Sequence, residues 1–185
     1  MGRESSDNLL LARVARHDRS ALAEVYARFQ RPLFSYLFHL LGQQEMAEDV
    51  LQEVMVIVWQ KAHTLQGDAK AAQWIFGVAH HQAFKALRRG ATITFVELDA
   101  ALELPDAALD PEADILRRAT HDEIAQALAC LTPEHREALE LAFFQDFSGK
   151  EIAEIVGVPL GTVKSRLSYA RRALKAALLR NGWGE

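Results

Sequence analysis

The chain has 185 residues with 21 Lys/Arg against 25 Asp/Glu, a formal net charge of −4, and half of it is hydrophobic. That is room for one ordinary domain or two small ones, with enough apolar content to bury a core. No apolar run approaches the ~20 residues of a membrane span, and the polar start from Met1 to Asn8 lacks the apolar heart of a signal peptide, so neither membrane insertion nor secretion is expected and a cytoplasmic location is.

The first half reads as helix after helix from residue 9 to residue 89. Asp18-Arg19-Ser20 suits the cap of a helix from about Ala21 to Leu41, which Gly42 ends. A second helix is expected from Glu45 to Ala62. Its Val50, Leu51, Val54, Ile57 and Val58 recur at three and four, while Asp49, Gln52, Glu53 and Gln60 lie off that face. A break from Thr64 to Lys70 carries the turn pair Gly67-Asp68. A third helix, Ala72 to Arg89, has the apolar stripe Ile75, Val78, Ala79, Ala83 and Leu87.

Residues 90–114 change character. Gly90, Pro105 and Pro111 punctuate them, and seven acids stand between Glu97 and Asp114 without a Lys or Arg. They read as a solvated acidic linker, with room for a short helix around Val96 to Leu102. Periodicity returns in a helix from about Ile115 to Cys130. The single cysteine, Cys130, can close neither an intramolecular disulfide nor a zinc site alone; beside Leu128 and Leu131 it reads as a small buried hydrophobe rather than a redox sensor. Thr132-Pro133 opens a helix to about Phe144. Ser148 and Glu151 have capping-box spacing and start a short helix through Val156. Gly157-Val158-Pro159 breaks it, and a last helix runs from Leu160 or Gly161 to about Leu179. No strand-like alternation is seen, so the fold expected is all-α: two small helical domains, 1–89 and 115–185, joined by the linker 90–114.

Charge follows the same division. Residues 1–89 hold eleven Lys/Arg and nine Asp/Glu, residues 90–147 three and thirteen, and residues 148–185 seven and three, so two mildly basic blocks flank an acidic one. A short helix, a turn containing Gly and a longer helix make a helix-turn-helix. Its inner face is Ile152, Ala153, Val156, Val158, Val163, Leu167, Ala170 and Leu174. The opposite stripe carries Lys164, Ser165, Ser168, Tyr169 and Arg172, groups suited to base edges and phosphates, and between Val163 and Arg180 there are six bases and no acid. Solvated surfaces usually mix signs, which this one does not.

The run Ser148-Gly149-Lys150-Glu151-Ile152-Ala153, followed by Gly157-Val158-Pro159-Leu160-Gly161-Thr162-Val163-Lys164-Ser165-Arg166-Leu167, resembles region 4 of the extracytoplasmic-function sigma factors of the sigma-70 family. Ala47-Glu48-Asp49-Val50-Leu51-Gln52-Glu53-Val54 with Val58-Trp59 resembles their region 2.2. Trp74-Ile75-Phe76-Gly77-Val78-Ala79-His80-His81 through Arg88-Arg89 resembles region 2.4. The likeness covers nearly the whole chain, in order.

The resemblance implies a sigma factor, not an enzyme, that directs promoter-specific initiation of a stress or envelope-response regulon. The implied partners are core RNA polymerase (the clamp helices of its largest subunit and its flap), promoter DNA and an anti-sigma protein. Asp49, Gln52, Glu53 and Gln60 would dock on the clamp helices. Trp74, His80, His81, Phe84, Lys85, Arg88 and Arg89 would hold the melted −10 element beside the loop Thr64 to Ala71, where an extruded base needs stacking and polar contacts to offset its unstacking. Thr162, Lys164, Ser165, Ser168 and Tyr169 would meet the −35 element, with Arg166, Arg171 and Arg172 on phosphates. Four positions depart from the family: His81 is usually Asn, Lys85 usually Asp, Tyr169 often Arg or His, and Ala142 stands where some relatives carry Arg.

No cofactor or metal is expected. Adjacent His80 and His81 lack the spacing of three or four that faces two ligands to one centre. The rival readings are a stand-alone helix-turn-helix regulator, for which a response-regulator receiver domain with its strands is missing, an enzyme, for which no catalytic constellation or phosphate loop is found, and an interaction scaffold, which the basic stripe disfavours.

Overall fold

The computed structural model describes residues 2–65, 70–90 and 131–180. The chain divides into two compact units, and the described residues hold helices and no strand. The first unit contains α1 (Gly2–Val14), α2 (Arg19–Leu41), α3 (Gln44–Lys61), a single 3-10 turn (Ala62–Thr64) and α4 (Ala71–Gly90). The second contains α5 (Pro133–Leu139), a π-helical turn (Glu140–Phe144), the greater part of α6 (Gly149–Val156) and α7 (Leu160–Arg180). The expected acidic linker 90–114, the short helix near Val96, the helix from Ile115 to Cys130 and Cys130 itself lie outside the described residues, apart from Gly90 at the end of α4.

In the first unit α2 packs against α1, α3 and α4. Its Ala21, Val25, Phe29, Leu33, Tyr36, Leu37 and Leu40 are buried at intervals of three and four, the single apolar stripe that an amphipathic helix turns to a core. Tyr36 is fully buried and meets Phe76 of α4 edge-on, with ring centroids 5.5 Å apart. Phe76 was not part of the stripe expected for α4, whose Val78 and Leu87 are only partly buried.

Both ends of α2 are closed as the sequence suggests. Asp18 is the N-cap; one carboxylate oxygen accepts from the Ser20 amide at 2.9 Å, the Ala21 amide at 3.2 Å and the Ser20 hydroxyl at 2.7 Å. Arg13 donates to its other oxygen at 2.9 Å. These bonds favour the charged carboxylate. The Ser20 hydroxyl first, then the Ala21 amide and Arg13, hold the Asp18 pKa down at about 2. At the other end Gly42 adopts φ 73 and donates its amide to Phe38 at 2.8 Å, a left-handed closure that an L side chain would strain.

The polar N-terminus does more than the sequence reading allows it. Ser6 to Val14 lie on α1, where Leu10, Leu11 and Val14 are buried. Asp7 is buried too, and Arg28 of α2 pairs with it and with the Ser6 hydroxyl, so the buried charge has its partner. The Asn8 side-chain oxygen accepts from the Ala71 amide at 2.8 Å. It thereby satisfies an orphan donor at the start of α4, 63 residues away.

In the second unit Thr132 caps α5 and Pro133 occupies its first turn, as expected. The helix expected to continue to Phe144 opens after Leu139: the Gln145 amide reaches back five residues to Glu140 at 3.2 Å. Glu137 to Leu141 are buried without interruption. A π turn takes one residue more than an α turn, and in its second half Phe143 and Phe144 come to the surface. Glu140 stays buried and accepts from the Gln145 side chain at 3.4 Å.

Asp18→Ala should lower the urea midpoint of unfolding at pH 7. Because the carboxyl pKa is depressed, the stability it contributes is present above the unfolded value near 3.8 and disappears as pH falls through about 2. The difference between variant and wild type should therefore shrink between about pH 4 and pH 2; an equal difference at both ends would refute the cap.

Candidate nucleic-acid interface

The helix-turn-helix is built from its caps upward. The Ser148 amide donates to the Glu151 carboxylate at 2.8 Å, and the Glu151 amide lies 3.4 Å from the Ser148 hydroxyl oxygen, the reciprocal pairing of a capping box. After α6, Gly157 takes φ 70. The Val158 amide returns to Ala153 at 3.2 Å, and Pro159 offers its carbonyl to the amides of Thr162 at 2.9 Å and Val163 at 3.2 Å. Three residues thus reverse the chain. Gly149 keeps this approach open: a Cβ there would stand 3.2 Å from Leu160 Cδ1.

The inward face of α7 is Val163, Ala170 and Leu174, all buried, with Leu167 partly so. On α6, Ile152 is buried as expected and so is Ile155, which the expected inner face left out; Ala153, Val156 and Val158 are partly covered. Lys164, Ser165, Tyr169 and Arg172 are exposed, and Thr162, Arg166, Ser168 and Arg171 are partly buried. The eight residues are therefore not equivalent. Ser165 gives its hydroxyl proton to the Gly161 carbonyl at 3.1 Å, which leaves its oxygen as an acceptor. Arg171 lies over the Phe143 ring, 5.1 Å from the centroid, and its Nε is buried without a hydrogen-bond partner. A guanidinium on an aromatic face helps to pack α7 on the π turn. Tyr169 is 52% exposed, yet one face of its ring stacks on His135 of α5 at 4.5 Å and 29°. Burial first, with the nearby Arg166 adding and Glu134 opposing, lowers the His135 pKa. Ala142 is partly buried within the π turn.

In the first unit, α4 carries a second mixed aromatic and basic stripe. His81, Lys85, Arg88 and Arg89 are exposed; Trp74, His80 and Phe84 are partly buried. Trp74, His81, Lys85 and Arg88 follow one another at seven, four and three, so they share a face. The His80 ring packs on Phe84 at 4.8 Å and meets His81 edge-on at 5.2 Å. His81 Nδ1 sits 2.8 Å from the Gly77 carbonyl oxygen, which fixes the ring along the helix. Lys85 donates to Gln82 at 3.4 Å. Arg88 and Arg89 occupy the last turn, where positive charge is favoured by the helix dipole. Of the loop beside α4, residues 66–69 are not among those described.

The helix α3 presents Asp49, Gln52, Glu53 and Gln60, all exposed, on one side. Among them stands Val56, 54% exposed, which the sequence reading passed over. Its spacing of seven from Asp49, three from Glu53 and four to Gln60 puts an apolar centre on a polar face. A docking surface of that make-up has an uncharged middle and a charged rim. His135 was missed for another reason: it lies 34 residues before Tyr169, and only the packing of α5 on α7 brings the rings together. No helix among the described residues is long and apolar enough to cross a membrane.

Residues 25–92 match the Sigma-70 region 2 family and residues 121–174 match the Sigma-70, region 4 family. The chain is 32% identical over 176 residues to the ECF RNA polymerase sigma factor RpoE of Cereibacter sphaeroides, an alignment spanning 93% of this chain and 95% of that protein. It is 32% identical to the ECF RNA polymerase sigma factor SigL of Mycobacterium tuberculosis over 87% of this chain and 90% of that one. Among solved structures, its fold is similar to that of CnrH, determined in complex with the cytosolic domain of CnrY, with a TM-score of 0.70 and 21% identity over 95% of this chain and 98% of that chain. It is also similar in fold to the sigma factor RpoE of Bartonella quintana, determined in complex with the anti-sigma factor NepR, with a TM-score of 0.64 and 23% identity over 84% of this chain and 95% of that chain.

The turn itself is testable. Nothing lies within 4 Å of a Cβ built on Gly157, so Gly157→Ala should cost only the left-handed backbone, about 1–2 kcal/mol, read as a lower urea midpoint. Gly157→Asn should cost less, because Asn tolerates that region. Equal losses for both variants would place the cost outside the backbone.

Proposed function

Since this chain belongs to the extracytoplasmic-function sigma factors of the sigma-70 family, we propose that its three exposed helix faces divide the work of promoter-specific initiation between them. A sigma factor binds core RNA polymerase and directs it to promoters; the assignment of each face is our reading. The division is a region 2 domain at 1–89, an acidic linker at 90–114 and a region 4 domain at 115–185. In the region 2 domain, Asp49, Gln52, Glu53 and Gln60 dock on the clamp helices of the largest polymerase subunit, with Val56 at their centre. Charge matching at such a rim sets encounter rate and specificity more than final affinity.

The stripe on α4 receives the opened −10 element. Trp74, His80, His81 and Phe84 supply ring surface for unstacked bases, and Lys85, Arg88 and Arg89 supply charge for the backbone. On α7, Lys164, Ser165, Ser168 and Tyr169 meet the edges of the −35 bases, with Thr162 at the helix start and Arg166 and Arg172 toward phosphates. Arg171, held over Phe143, acts by fixing α7. The observation that carries this reading is the acid-free exposed face of α7, which follows a capped α6 and a three-residue turn, on a chain whose two matched regions occur in family order. The protein works in the cytoplasm, where polymerase is, and an anti-sigma protein covers its faces until it is needed. Support for that control is the company of its fold neighbours, solved with CnrY and with NepR.

Run-off transcription with purified protein and bacterial core polymerase on a promoter library tests the whole. Initiation that depends on the protein and falls when the −35 element is scrambled is the expected result; no initiation from active core and folded protein would return the chain to a stand-alone DNA-binding regulator. Within that assay Lys164→Ala should reduce −35 discrimination by about 1–3 kcal/mol while core binding stays intact. Asp49→Lys with Glu53→Lys should weaken core binding on the order of tenfold and leave the promoter preference of the remaining holoenzyme unchanged. Unaltered affinity in a pull-down would remove α3 from the docking surface.

A further inference from the structure

Tyr169 stands on the exposed face of α7 between Ser165 and Arg172, at four and three residues. A half-exposed tyrosine on a helix surface samples several rotamers and reads little. This one does not stand alone: the His135 ring covers one of its faces at 4.5 Å and 29°. His135 is itself held. Its Nδ1 lies 2.8 Å from the Thr132 hydroxyl oxygen, and its own amide points to that oxygen at 3.5 Å. Thr132 is the N-cap of α5 and Pro133 follows with a fixed φ. The chain of contacts therefore runs from a helix cap, through an imidazole, to a phenol ring on the DNA-facing stripe.

From this juxtaposition we infer that His135 is a positioning residue for −35 recognition: it braces Tyr169 so that the phenol ring and hydroxyl meet one or two base edges in a fixed direction. The inference rests on the reading of α7 as the −35 helix. Tyr169 brings no charge, so its contribution is to base choice and not to phosphate attraction. The chemistry it suits is a base edge in the major groove, where the hydroxyl can donate or accept and the ring can pack on a thymine methyl. The groups facing His135 fit the role. Glu134 lies in its own turn, and Arg166 and Tyr169 reach it from α7. Burial favours the neutral imidazole, with Glu134 opposing and Arg166 adding, so the stack joins two uncharged rings beside a cationic face.

The test is transcription by reconstituted holoenzyme from a promoter library randomised in the −35 element, comparing wild type with His135→Ala, His135→Phe, Tyr169→Ala and the double variant His135→Ala/Tyr169→Ala. His135→Ala and Tyr169→Ala should flatten the preference at the same base pairs, by roughly 2- to 10-fold, the range of an aromatic pair. The double variant should be no worse than Tyr169→Ala alone, and His135→Phe, which keeps a ring in place, should retain the preference. The slope of activity against salt should not change for any of them, since no phosphate contact is removed. Unchanged preference in His135→Ala would overturn the inference. So would flattening at different base pairs in the two single variants, or a fall in transcription shared equally by all promoters and not rescued by His135→Phe, which is the mark of a purely structural residue. A wild-type library without any −35 preference, with Lys164→Ala indistinguishable from wild type, would instead overturn the reading of α7 on which the inference stands.

Discussion

A helix leaves the amides of its first turn without partners, and a protein made of short helices has many such ends to satisfy. Here the acceptors that satisfy them also decide where the helices go. Asp18 closes α2 and ties Arg13 of α1 to the same carboxylate. Thr132 closes α5 and holds the imidazole that meets Tyr169. Ser148 and Glu151 close α6 reciprocally. Asn8 serves α4 from another helix altogether. Hydrophobic burial supplies the bulk of the stabilisation in such bundles, but it is indifferent to a rotation of a few degrees or a slip of a turn. The caps remove that freedom, and each face discussed above belongs to a helix whose start is fixed in this way or whose neighbour is.

A net charge of −4 sits uneasily with a DNA-binding chain until charge is placed on surfaces. Neither α4 nor α7 holds an acid, and both expose basic side chains, whereas α3 exposes carboxylates and amides. Attraction to a polyanion depends on the local field, which decays within about 10 Å at ordinary salt, so the sign of each helix face matters more than the net charge of the chain. The same arrangement gives one small protein helix faces of opposite sign.

Much of this was legible in the sequence, and the failures have physical reasons. The bounds of α2, the capping box at Ser148 and the turn at Gly157 follow from local chemistry, in which the deciding residues stand within a few positions of one another. The π turn at Glu140–Phe144 is different: Ala138 to Phe144 has no glycine or proline to mark it, and it is seen only when the uninterrupted burial from Glu137 to Leu141 is known. Val56 was hidden by a rule that is correct on average, that the apolar residues of an amphipathic helix face inward. The sequence shows the charge of Arg171 and not the Phe143 ring beneath it. His135 and Asn8 act across long separations, and no periodicity reports that kind of contact.

The bond from Asn8 to Ala71 has a consequence for how the chain is made. A ribosome delivers Asn8 first and Ala71 some sixty residues later, the separation being 63. Until then the first three helices can collapse on one another, but the acceptor waiting on α1 has nothing to accept. Closing so long a loop is entropically costly and comes late among folding events. The start of α4 is therefore fixed only when the helix itself has left the exit tunnel and docked, and Asn8, made long before it, gains its backbone partner only then.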